Sequence, residues 1–171
     1  MAKTVKKPLI TSFKKFKAAW EKDAGKPENS IMYYLIAALN LEKNKELSAA
    51  MMTVVISKKH CSEDNSSPSG LKLGLSAKYF VGQFLESKNN ARSYVGGTNK
   101  NDYKIDKKAL KLKIVRTVDH GKGIKMFVHS GGRDNPVPCQ LMKNSSGEWK
   151  LTEYSSFCMD VKKPKSEEGD F

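Results

Sequence analysis

Cysteine is scarce in this sequence and cannot pair off. Cys61, Cys139 and Cys158 are odd in number and carry no Cys-x-x-Cys spacing, which argues against a disulfide scaffold and the common zinc, redox and haem-attachment motifs. Histidine is equally rare, and His60, His120 and His129 are too scattered to predict a metal site, which needs at least three convergent ligands. Long apolar runs are missing as well. Nothing approaches the roughly 20 apolar residues that cross a bilayer, and the basic start Met1 to Ile10 runs into Phe13-Lys-Lys-Phe16 instead of a signal-peptide core. A cytoplasmic location is expected, with no transmembrane segment, no cofactor and no metal.

Arginine is nearly absent. The chain has 171 residues, 31 Lys plus Arg against 18 Asp plus Glu and a formal net charge of +13, yet Arg92, Arg116 and Arg133 are its only arginines. That charge favours a nucleic acid or another polyanion. The lysine bias and the lack of a long basic run argue against it, because readers of phosphates and base edges lean on the arginine fork. The length suits one domain over residues 1–171, with 1–9 and 162–171 as flexible termini.

What is present is periodicity. Phe13, Phe16 and Trp20 at helical spacing predict a helix over 10–24 whose aromatic face docks on the domain, with Gly25-Lys26-Pro27 ending it. Ser30 opens a second, nearly all-apolar helix, and Leu47, Ala50, Met51, Val54 and Val55 mark a third from Glu46 to about Lys58. Cys61–Gly70 reads as a mobile loop, Leu71–Leu73 as a short strand, and Ser76 as the cap of a helix reaching Glu86. Residues 88–102 read as a second long connection. From Leu110 the period becomes two, and the turn-forming joints at 120–123, 130–136 and 144–147 divide four strands of an antiparallel meander, the last starting at Trp149. Alternation turns Trp149 and Leu151 inward and Lys150 toward water. The expected fold class is α+β, with N-terminal helices packed on a curved C-terminal meander of about four strands.

Four segments carry a resemblance. Gly96-Gly-Thr-Asn-Lys-Asn-Asp-Tyr103, Gly132-Arg-Asp-Asn-Pro136, the run Leu141–Glu153 with Gly147-Glu-Trp149, and Lys163-Pro164 with Ser166-Glu167 resemble, in this order, a poorly characterised bacterial family of domains of unknown function. That family usually has a basic residue after the Pro of its Gly-x-Asp-x-Pro stretch, where this chain has Val137, which counts against anion binding by that loop. The order of elements is also similar to the cone-shaped fold of nuclear transport factor 2 and ketosteroid isomerase, which implies helices seated in the concave side of the sheet. Neither resemblance transfers an activity.

Candidates for chemistry are few. His60-Cys61 and His129 suggest a Cys-His nucleophile, but no orienting group or oxyanion motif accompanies them. A small-ligand site would use Tyr33, Tyr79, Tyr103, Arg133, Asp134 and Trp149, as aromatics with polar tips often do. The first reading is thus a non-enzymatic domain that binds a small apolar ligand or pairs as a homodimer. The alternatives are a Lys-rich surface for nucleic acid or another polyanion, and an enzyme using a concave pocket.

Overall fold

The structure, a computed structural model, describes residues 2–169. In chain order it comprises β1 (Lys3–Lys7), α1 (Phe13–Asp23), α2 (Pro27–Leu39), α3 (Lys45–Val55), β2 (Cys61–Glu63), β3 (Leu71–Leu73), α4 (Leu75–Glu86), α5 (Asn89–Arg92), β4 (Leu110–His120), β5 (Gly123–Val128), β6 (Val137–Lys143) and β7 (Trp149–Glu153). The fold class is α+β. The main sheet is antiparallel, in the order β1-β4-β5-β6-β7.

The meander forms as its turns predict, and a fifth strand joins it. β1 pairs along β4 with Val5 opposite Leu112, so residues 3–7 are sheet where the sequence suggests a loose terminus. Its side chains hold it further: Lys7 Nζ lies 2.7 Å from the Asp23 carboxylate, which also accepts from the Tyr33 hydroxyl at 2.6 Å. The other end is also tied down. Lys162 N donates to Gly132 O at 3.0 Å and Lys165 N to Asn99 O at 2.8 Å, so the segment expected to trail in solvent packs on the sheet end. Met1, Asp170 and Phe171, also assigned to those termini, lie outside the described residues.

Alternation separates the faces of the sheet. Val5, Leu110, Leu112, Ile114, Met126, Val128, Val137, Cys139, Leu141 and Leu151 point inward and are buried. Against them lies α2, an apolar helix buried from Ser30 to Leu39. Pro27 begins this helix instead of ending α1, since the first helical turn has no need of the missing N–H. Ser30 is therefore an interior residue, donating to Trp149 O at 2.6 Å and accepting from Trp20 Nε1 at 3.2 Å. α1 is capped by Ser12 and docks through Phe16 and Trp20, with Phe16 edge-on to Tyr33 at 5.4 Å. Gly74, two residues before the expected cap Ser76, is the N-cap of α4. β2 and β3 pair as a hairpin, so the predicted mobile loop is reduced to its tip, where Asp64 accepts from Ser66 N and Oγ.

Trp149 and Lys150 differ from the alternation reading. Trp149 is half-buried, with Lys143 Nζ 5.2 Å from its ring. The deeply buried indole is Trp20. Lys150 sits on an edge strand beside the end of α3, where Ile56 bridges Leu151 and Ser57 N donates to Leu151 O at 2.8 Å. Its side chain folds round that edge, places Nζ 4.3 Å from the Trp20 ring and donates to Val54 O, a carbonyl left free at the helix C-terminus. Burial holds the Lys150 ammonium below its ordinary pKa. Lys150→Met keeps the aliphatic stem and loses the donor, so chemical unfolding should register a cost of about 1–2 kcal/mol. A cost below about half a kilocalorie per mole would return this residue to the plain surface.

Candidate functional site

The six residues put forward from the sequence do not converge. Tyr33 is core, its phenol pushed up by burial and by the Asp23 carboxylate. The same carboxyl would itself be raised by burial, but hydrogen bonds from Lys7 and Tyr33 outweigh that and hold it below its ordinary range. Tyr79 is exposed on α4 and Trp149 lies at the far edge of the sheet. Tyr103, Arg133 and Asp134 do come together, in a knot that ties the tail to the sheet end.

That knot is built from the segments that carry the resemblance. Tyr103, with φ of +57°, donates N–H to Thr98 O at 2.8 Å and its hydroxyl to Lys162 O. Asn101 Oδ1 accepts from Thr98 N at 2.8 Å. Gly131 bridges Thr98, and a Cβ there would strike Gly97 O; one at Gly132 would strike the Tyr103 hydroxyl and Val161. Arg133 donates to Ser156 O at 3.3 Å, Asp134 pairs with Lys162, and Val137 is buried. These groups are occupied with each other.

The Cys-His idea has the wrong geometry. His60 Nδ1 is hydrogen-bonded to the Tyr154 hydroxyl at 2.9 Å. The nearest polar partner of Cys61 Sγ is Ser57 O at 3.9 Å, and burial pushes the thiol up, away from thiolate. Cys139 and Cys158 are buried and likewise raised by burial. No cluster of three or more His, Cys, Asp or Glu able to hold a metal occurs among the described residues.

Residues 8–165 match the family model described as Domain of unknown function (DUF6935). The chain belongs to this family. No curated protein and no solved structure matches it. For this DUF6935 domain the site must therefore be read from its own chemistry.

The outward face of the sheet is where charge gathers. Along β4 the sequence Leu110-Lys-Leu-Lys-Ile114 buries each apolar residue and exposes Lys111 and Lys113. The bulge between Ile114 and Arg116 keeps Arg116 outward, opposite Phe127 on β5, and Lys125 follows on that strand. On β1, Lys6 stands directly opposite Lys111. From β1 to β6 none of the outward positions fixed by this register is acidic. Where β1 and β4 meet the loop 93–109, the face deepens into a groove of about 590 Å³ lined by Lys6, Lys104, Lys111, Lys113, His129 and the backbone of Gly96–Thr98, with Asp106 the one carboxylate in its wall.

Lysine on an edge strand protects it from pairing with other chains, and that accounts for β1. It does not account for Lys111 and Lys113 on β4, which is covered on both sides. Like charges directly across a ladder are destabilising, so Lys111 opposite Lys6 costs stability that protection of the edge does not require. His129 feels the same field: burial, then Lys113, hold its pKa below the ordinary 6.5.

Lys6, Lys111, Lys113, Arg116, Lys125 and Phe127 are not among the residues that the sequence singles out. Their signal was the Leu-Lys-Leu-Lys-Ile alternation, which predicts one basic face but not which strands extend it.

Proposed function

We propose that this domain is a non-enzymatic binding module that takes a polyanion on the outward face of its sheet, with the groove beside Gly96–Thr98 as the deepest part of the site. The observation that carries the reading is the concentration of Lys6, Lys111, Lys113, Arg116 and Lys125 on one surface without an outward carboxylate between them. A small apolar ligand has less support, because the inward face is filled by α2 and by the packed rings of Tyr34, Tyr154 and Phe157. We further read the architecture as one cone-like domain of the nuclear transport factor 2 kind. α2 crossing the inner face of a five-stranded sheet supports it.

Retention on immobilised heparin tests the binding. It should fall steeply with salt, as counterion release requires. The double variant Lys111→Glu/Lys113→Glu, altering exposed side chains only, should elute at much lower salt with its melting temperature kept. A matched pair on another surface, Lys43→Glu/Lys45→Glu, should cost far less; equal losses from the two pairs would mean diffuse charge and no site. Retention should also rise as pH falls through the lowered pKa of His129, because protonation adds a cation to the groove.

A further inference from the structure

Resting on that reading and naming its ligand, we infer that the face takes single-stranded nucleic acid, phosphates along the β4 lysines and one base stacked at Arg116 and Phe127. Arg116 carries the argument. Arg92 is engaged by Glu42 and Tyr103 O, and Arg133 by Ser156 O, whereas Arg116 has no hydrogen-bonding partner among the described residues. Its guanidinium carbon lies 4.1 Å from the centroid of the Phe127 ring, and Lys125 Nζ approaches the same ring at 5.4 Å. The ring thus holds the guanidinium in place in the middle of the basic face, with exposed Val115 and Val118 beside it.

A planar cation already held over an aromatic ring is an unused platform for another flat π-system. An unpaired base supplies one, and stacking on aromatic rings or guanidinium planes is how proteins hold single strands. A duplex hides its base faces, and a sulfated polysaccharide has none. From Lys111 to Arg116 the track runs about 17 Å along β4, at about 3.4 Å per residue, with lysines at alternate positions. This length matches a few nucleotides of an extended strand. Lysines as point charges neutralise phosphates without reading bases, so binding is sequence-tolerant.

The test measures anisotropy of a labelled single strand of roughly a dozen nucleotides, against an abasic strand with the same phosphates, a duplex of the same sequence, and heparin as competitor. The base-bearing strand should bind about tenfold tighter or more than the abasic one. Arg116→Lys, which keeps the charge, and Phe127→Leu should each erase that difference and leave abasic binding nearly unchanged. Arg116→Lys touches no buried group, so it decides the matter even if Phe127→Leu unfolds. Equal binding of the two strands, a difference that survives Arg116→Lys, or tighter binding of duplex would overturn the inference while leaving a polyanion face. If neither strands nor heparin bind in a salt-dependent way, the underlying reading fails as well.

Discussion

Trp20→Ala is expected to lower the free energy of unfolding by about 3–5 kcal/mol, and Trp149→Ala by only about 1–2 kcal/mol. The two tryptophans have different surroundings. Trp20 is 2% exposed, and its indole N–H donates to the buried Ser30 hydroxyl, which in turn donates to the carbonyl of Trp149. Lys150 covers its ring. Truncation opens a large cavity and takes a donor from a chain linking α1, α2 and β7. Trp149 has one side toward solvent, where Lys143 lies over it, and less to lose. Urea unfolding of both variants decides between them. A larger loss at Trp149 would restore the inward-facing role that alternation assigns to it.

Gly131→Ala and Gly132→Ala should each cost about 2–4 kcal/mol, although each adds only one methyl group. The new Cβ meets backbone at Gly131 and the seated Tyr103 ring at Gly132, and neither neighbour is the free end of a flexible side chain. Because Lys162 N is anchored to Gly132 O and the Tyr103 hydroxyl to Lys162 O, the Gly132 variant should also release the tail, read as faster proteolysis after residue 160. Gly82→Ala is the contrasting case. It lies on the exposed side of α4 with nothing within 4 Å of the added atom, and should stabilise by about 0.5–1 kcal/mol. Neutral outcomes at both Gly131 and Gly132 would mean that the knot is loose and that the close approach of its strands is not needed.

The candidate site was legible only in fragments. The segments with special residue types, Gly96–Tyr103 and Gly132–Pro136, draw attention in the sequence, yet their polar groups are taken up in tying the tail to the sheet end, and only the first segment contributes to a wall of the groove. The lysines that line the groove look individually like solvated surface, because a Lys in a strand carries no mark of what stands beside it. Only Leu110-Lys-Leu-Lys-Ile114 hints at a basic face. That Lys6 joins it follows from pairing between segments more than a hundred residues apart.

By itself the sequence determined what local physics controls: apolar residues at steps of three and four, then of two, place the helices before the meander, and turn residues mark the strand joints. Tertiary structure alone decided the rest. Five residues with a single buried Val5 have too little apolar periodicity to announce a strand, and β1 exists because β4 offers it an open ladder. Pro27 could end one helix or begin the next, and the choice fell to the packing of α2 against the sheet. Trp20 docks as its helical face predicts, whereas Trp149 is only half-buried, because burial depends on what covers a residue from elsewhere in the chain, which no window of neighbouring residues contains.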